Sequence, residues 1–339
     1  MAQWRGLGSV RRAAALALIA ASGAVASAQA ETLTSVGSDT LRPLMEAWAE
    51  GYGGMAPDTS IDIASPGSNA APAALSEGRS DLAPMSRKMT DGEIDGFKAV
   101  RGRRPLKLVV ALDALAVYVH QDNPIGGATL AQIDRVFSKE RRCAGGKAYE
   151  TWRPFVYGEF STRAIELHSR TPQSGTYTTF IELALCGGPL ADGVVFHEDS
   201  ADLVAAIAAE PSAIGFAGIG YDRPGVKTVA IAENDDEPYV PAIPDRLAAS
   251  DDPAERYKNV VSGKYPLSRD LHIYIDPDEV ETVRGFLDFV LSTDGQALAA
   301  EVGFVPLPPA SLDEERRKLD PDYRPKWWRL EKPDWWPFG

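Results

Sequence analysis

Two cysteines and four histidines are all that this chain of 339 residues holds of the softer metal-binding side chains. Scattered as they are, they match no zinc-ligand spacing. Neither G-x-S-x-G nor H-E-x-x-H occurs, so a nucleophile elbow and a zincin helix are both unsupported. His120, His168, His197 and His272 have no triad context and read as surface or structural residues, with His168, two residues before Arg170, the nearest to a site of interest. Past the first thirty residues no apolar run is long enough to cross a bilayer. Basic residues are also short: 35 Lys and Arg face 48 Asp and Glu, a formal net charge of −13, which argues against nucleic acid as a partner. There is no internal repeat and no low-complexity linker before about residue 309.

The first thirty residues differ from the rest. Arg5, Arg11 and Arg12 form a basic start, Ala13 to Ala26 is apolar but for Ser22 and Gly23, and Ala28-Gln29-Ala30 precedes Glu31. That order predicts a secretory signal peptide over 1–30, cleaved near Ala30; as a membrane anchor the apolar run is short. Losing three arginines and no acid takes the formal charge from −13 to −16. Export puts Cys143 and Cys186 in an oxidising compartment, where an isolated pair usually forms a disulfide; two free buried thiols are the alternative. About 309 residues remain, enough for two lobes.

Along that body, helical and strand patterns alternate. Leu41, Leu44, Met45, Trp48 and Tyr52 share one face of a helix, and Thr59 to Ile63 reads as a strand. Lys107 to Leu112 and Ala114 to His120 read as strands broken at Asp113. Ala164 to Leu167 is a further strand, before a helix carrying Phe180, Ile181, Ala184 and Leu185 that Gly187 would stop. Ala213 to Phe216, Thr228 to Ile231 and Leu271 to Ile275 are strand-like, and Val283, Phe286, Leu287 and Val290 mark a late helix. The alternation predicts an α/β fold with largely parallel sheets. Residues 310–339 change character: charge, proline, and the pairs Trp327-Trp328 and Trp335-Trp336 read as a surface extension packed on the body or as an adhesive tail.

Three segments place small hydroxyl and glycine residues where helices begin: Gly37-Ser38-Asp39-Thr40-Leu41, Gly67-Ser68-Asn69, and Arg170 followed by Ser174-Gly175-Thr176. The first N–H groups of a helix lack intrahelical partners and lie at the positive end of its dipole, so such starts suit phosphate or sulfate. Glycine lets the backbone come close, and Arg170 offers a bidentate, charge-assisted contact. Taken singly each is an ordinary N-cap. An acidic net charge does not stand against a buried anion site, which is built from local dipoles and one or two arginines.

In these segments the chain resembles the substrate-binding proteins of phosphate ABC transporters, the PstS-type family, from about Val36 to Leu307. Val36-Gly37-Ser38-Asp39-Thr40-Leu41, Pro66-Gly67-Ser68, Gly78 to Arg87, Ser169-Arg170 with Ser174-Gly175-Thr176, and Tyr265-Pro266-Leu267-Ser268 carry the likeness. The resemblance implies a two-lobed periplasmic-binding-protein fold with mixed or parallel sheets flanked by helices and two crossover strands. Lobe one would be 31–112 plus 267–309 and lobe two 113–266, with 310–339 a Trp-rich extension. Asp113 and Tyr265-Pro266 would lie near the hinge. It also implies an exported, periplasmic, monomeric protein that captures inorganic phosphate for ABC permease subunits, without cofactor or catalysis; a secreted oxyanion sensor or surface protein not coupled to transport is the alternative. By matching motif positions, ligand contacts would come from Thr40, the Leu41 backbone, Ser68, Arg170, Ser174, Gly175 and Thr176; the reading of the first helix start adds Ser38 and Asp39. The chain departs from some relatives at Arg87, where they keep an aspartate that accepts the ligand's proton. Arg87 is therefore expected either to add a second positive charge to the site or to pair with an acid outside it. Asp39 becomes the candidate proton acceptor, with helix capping as its alternative role.

Overall fold

In the computed structural model, which describes residues 31–244 and 253–324, strands and helices alternate as expected. The first stretch runs through β1 (Glu31–Val36), α1 (Arg42–Gly53), β2 (Thr59–Ala64), α2 (Ala71–Ser76), β3 (Ala83–Met85) and α3 (Asp91–Arg101). The long strand β4 (Leu106–His120) leads to β5 (Gly127–Thr129), α4 (Leu130–Phe137), β6 (Glu166–Arg170), α5 (Gly175–Leu185), β7 (Val195–His197) and α6 (Ser200–Ala209). Next come β8 (Ala213–Gly218), β9 (Val226–Thr228), β10 (Ala230–Ala232) and the short α7 (Pro253–Arg256) and α8 (Lys258–Val261). The chain returns through β11 (Ser268–Ile275) and ends in α9 (Val280–Val290), α10 (Thr293–Glu301) and α11 (Pro309–Leu319). The expected signal peptide and both tryptophan pairs lie outside the described residues.

Local chemistry accounts for these elements. In α1 the second position is Pro43, which has no N–H to leave unsatisfied there, and Leu44, Met45 and Trp48 are buried on one face. Helix α3 opens with a capping box in which the Thr90 hydroxyl accepts from the Glu93 N–H while the Glu93 carboxylate accepts from the Thr90 N–H. Every residue of β8 is buried, in keeping with its apolar run and its place between two other strands.

Strand β4 organises the sheet. Over Leu106 to Ala114 it pairs with β11; over Leu115 to His120 it pairs with β8 and β9. The order is β3-β11-β4-β8-β6-β7, with β9 beside β4. The apolar cores divide at the same place. One gathers Leu44, Trp48, Val110, Ile273, Phe286 and Leu287, with a smaller cluster around Leu75, Phe97 and Tyr274 in the same part of the chain; another gathers Val117, Phe137, Trp152, Phe180, Phe216 and Tyr265. Two lobes result, joined by β4 and by the segment entering β11, whose Leu267 carbonyl accepts the Leu115 N–H at 2.8 Å.

The sheets are less parallel than expected, because β11, β8 and β9 all run against β4; β1–β2, β5–β10, β6–β7 and β6–β8 are the parallel pairs. The break expected at Asp113 does not occur. Its carboxylate is buried against Arg269, the residue opposite it in β11, so the ladder continues. The strand expected over Thr228–Ile231 is instead divided between β9 and β10. Left-handed backbone ends α5 one residue before Gly187, at Cys186 (φ 49), and continues at Gly187 (φ 72). Cys186 is bonded to Cys143, as expected, with Cα atoms 5.4 Å apart. The start of the C-terminal extension packs on the first lobe: Glu315 in α11 accepts the Val109 N–H at 3.0 Å, and Leu319 joins the core.

Candidate anion-binding site

The loop between β1 and α1 is fixed by its backbone. The Ser38 N–H donates to the Pro84 carbonyl at 2.8 Å, and Gly37 lies so near that carbonyl that a Cβ would collide with it. No side chain caps α1, whose N-cap residue is Leu41. Asp39 is therefore free of the capping role and Thr40 is free to reach across the lobes. The Thr40 and Thr176 hydroxyls are hydrogen-bonded at 2.7 Å. The Ser38 hydroxyl is buried and has no partner within the protein.

The second loop meets the third. Ser68 Oγ accepts the Ser86 N–H at 3.0 Å and is 3.2 Å from the Ser86 hydroxyl. Asn69 donates from Nδ2 to the Pro172 carbonyl at 2.8 Å. Gly175, the first residue of α5, has to be glycine, because a Cβ there would overlap the Ser68 and Ser86 hydroxyls. Ser174 caps α5 by accepting the Thr176 N–H at 3.1 Å. The Asn69 bond to Pro172, the Thr179 hydroxyl on the Ser86 carbonyl and the Tyr221 hydroxyl on the Asp39 carbonyl close the two lobes on each other.

Arg170 ends β6 and is 1% exposed. One Nη1 hydrogen goes to an Asp39 carboxylate oxygen, Oδ2, and the other to Ser200 Oγ at 2.7 Å; Nε donates to the His197 carbonyl and Nη2 to the Glu198 carbonyl. The other Asp39 oxygen, Oδ1, is buried without a donor. His168 and His197 stand behind Arg170 with Nδ1 and Nε2 2.9 Å apart. Burial lowers the pKa of both, and each has countervailing neighbours, Glu166 for His168 and Asp202 for His197. Burial, then the Asp39 charge, raises the pKa of the Tyr221 hydroxyl, which keeps it a donor.

The structure thus brings together Ser38, Asp39, Thr40, Leu41, Ser68, Arg170, Ser174, Gly175 and Thr176. It does not bring in Arg87. That guanidinium donates to Asn69 Oδ1, to the Lys88 carbonyl and, through both Nη1 and Nη2, to Glu93. Burial raises the pKa of Glu93, but Arg87 and the Thr90 N–H more than offset this and hold it below its ordinary value. The reason is local: the carboxylate of the α3 capping box lies six residues beyond Arg87 and claims it. Sequence reasoning missed Arg269. Its Nε and Nη2 donate to Asp113 Oδ2 at 2.9 and 2.7 Å, and Nη2 also reaches Thr176 Oγ1 at 3.1 Å. Burial raises the pKa of Asp113, against the pull of Arg269. The only pointer was position, one residue past the Tyr265–Ser268 motif. Among the described residues no cluster of three or more His, Cys, Asp or Glu is arranged to hold a metal, and no helix is long and apolar enough to cross a membrane.

Residues 22–294 match the PBP superfamily domain. The chain is 38% identical over 303 residues to the phosphate-binding protein PstS of Pseudomonas aeruginosa, covering 87% of this chain and 88% of that one. The chain belongs to the PstS family. It is also 29% identical over 312 residues to the protein SphX of Synechococcus elongatus, covering 88% of this chain and 86% of that one. Among solved structures, an ABC-type phosphate transport receptor from Vibrio cholerae shares the fold with a TM-score of 0.60 at 22% identity, covering 82% of this chain and all of that one.

Proposed function

We propose that this chain captures inorganic phosphate between lobe one (31–112 plus 267–309) and lobe two (113–266) and delivers it, from the periplasm, to the permease of an ABC transporter. The names borne by its PstS relatives and the closed hydroxyl- and glycine-lined cleft support the reading. One observation carries it. Asp39 has one carboxylate oxygen held by Arg170 and Ser200, while the other is buried and unpaired, and so is the hydroxyl of Ser38, the preceding residue in the same loop. A fixed acceptor and a free donor in one loop suit an oxyanion that still carries a proton. The monohydrogen phosphate dianion donates its O–H to Asp39 Oδ1 and accepts from Ser38; sulfate, of the same charge and shape, has no proton to give and sets lone pair against lone pair. Calorimetric titration with phosphate, arsenate and sulfate tests this. Phosphate and arsenate should bind one to one and sulfate weakly; a chain that takes sulfate as readily as phosphate would refute it.

A further inference from the structure

Arg170 has little left to give a ligand. Its Nε, both Nη1 hydrogens and one Nη2 hydrogen are committed to His197, Asp39, Ser200 and Glu198, so one N–H remains of five. Arg269 is the reverse case. Its side chain is 5% exposed, and Nη1 has no partner at all although it is buried. A buried, charged donor without an acceptor is costly, so it calls for an explanation.

The geometry of the fork says where Nη1 points. A guanidinium is planar. Its Nε and Nη2 share one edge, and here that edge holds Asp113 Oδ2. The second Nη2 hydrogen leaves along the end of the fork, and it is this one that reaches Thr176 Oγ1. The outward hydrogen of Nη1 runs parallel to it. It is therefore directed beside Thr176, whose hydroxyl is also bonded to Thr40. Parallel N–H groups at the end of a fork fit two oxygens of a tetrahedral anion, or one oxygen and a neighbouring hydroxyl.

We infer that Arg269 supplies the second guanidinium to the bound anion, and that it, not Arg87, brings the additional positive charge to this site. This rests on the phosphate reading above. Because Arg269 lies on one crossover strand and Asp113 directly opposite on the other, the same contact ties the ligand to the strands about which the lobes open. Asp113 balances the charge and holds the fork in plane with the cleft.

Removing Arg269 alone would strand the Asp113 charge. Phosphate titrations therefore compare the parent with Arg269→Lys and with the paired variant Arg269→Gln/Asp113→Asn, each first shown by its melting curve to fold. The paired variant should bind phosphate about a hundredfold or more weakly. Arg269→Lys, which keeps the charge but not the fork, should fall between it and the parent. Parent-like affinity in the folded paired variant overturns the inference and leaves Asp113–Arg269 as a strut between strands. A parent that binds no phosphate overturns the functional reading as well, so the two failures are distinct. A crystal structure of the unaltered protein grown with phosphate decides the matter even if both variants unfold: Nη1 should lie about 3 Å from a ligand oxygen, and a phosphate held without Arg269 refutes it.

Discussion

The Asp39 carboxylate and the Arg170 guanidinium pair across 131 residues of chain, with side chains 3% and 1% exposed. The ion pair joins a loop of one lobe to a strand end of the other and fixes which carboxylate oxygen is left for a ligand. Asp39→Asn keeps the shape but can turn an amide donor toward the anion. The ratio of phosphate to sulfate affinity should then fall, by about tenfold or more, chiefly because sulfate binds better. Parallel titrations with the two anions measure it; an unchanged ratio would place the proton acceptor elsewhere.

Arg170→Ala removes a buried positive charge with one N–H left for a ligand, and leaves Asp39 buried without its counter-ion. Phosphate affinity should fall by about two orders of magnitude or more, and the loss should persist in Asp39→Ala/Arg170→Ala, which strands no charge. A double variant that binds like the parent would show that the pair only clasps the lobes.

Arg87→Ala should behave differently. Its donors are spent on Asn69, Lys88 and Glu93, so phosphate affinity should change by less than about threefold, well under the cost of losing a charge-assisted ligand contact. The melting temperature should drop, because Glu93 loses its partner at the start of α3. A hundredfold loss of affinity would return Arg87 to the site.

His272 in β11 gives the fold an acid limit. Burial pushes its imidazole down to about 3, with Lys107, Lys88 and Lys318 adding repulsion. The unfolded chain takes up that proton near the ordinary 6.5, so the stability owed to the neutral ring is complete above pH 6.5 and is lost as pH falls from there through about 3. Melting curves over that range should be less steeply pH-dependent for His272→Gln than for the parent. Parallel curves would mean that the ring is already exposed to the proton.

The Cys143–Cys186 bridge closes a separation of 43 residues, worth roughly 4 kcal/mol in the chain-entropy account. Reduction should lower the melting temperature while leaving phosphate stoichiometry at one. Alkylation of denatured, unreduced protein should label no thiol; two labelled thiols would rule the bridge out.

Much of the cluster was legible because its parts are local. Gly37–Leu41 and Ser174–Thr176 announce themselves where helices start, and the chemistry of a helix start is written in a handful of consecutive residues. Arg269 is a different kind of feature. It depends on the β4–β11 register, which sets it opposite Asp113 at a separation of 156 residues, and a single arginine in an alternating strand reads as solvent-facing. At Arg87 the sequence leaves two readings open. Its position suggests a ligand contact, whereas in the fold Glu93 of the α3 capping box takes its donors. The continuity of β4 escaped notice because a buried aspartate looks like a strand break until its partner is known.

The position of β11 sets the order in which the molecule can be assembled. It lies between β3 and β4, yet it is made after both and after the entire second lobe. Strands β4, β8, β6 and β7 come from one unbroken stretch, so their sheet can form as soon as that stretch is available, while β3 must wait for a partner that arrives almost two hundred residues later. Long-range pairing of this kind is slow, because the loop must close before the contacts reward it. The lobe nearest the N-terminus is thus the last to be completed, and the anion cluster, which needs both lobes, cannot exist until the chain is nearly whole.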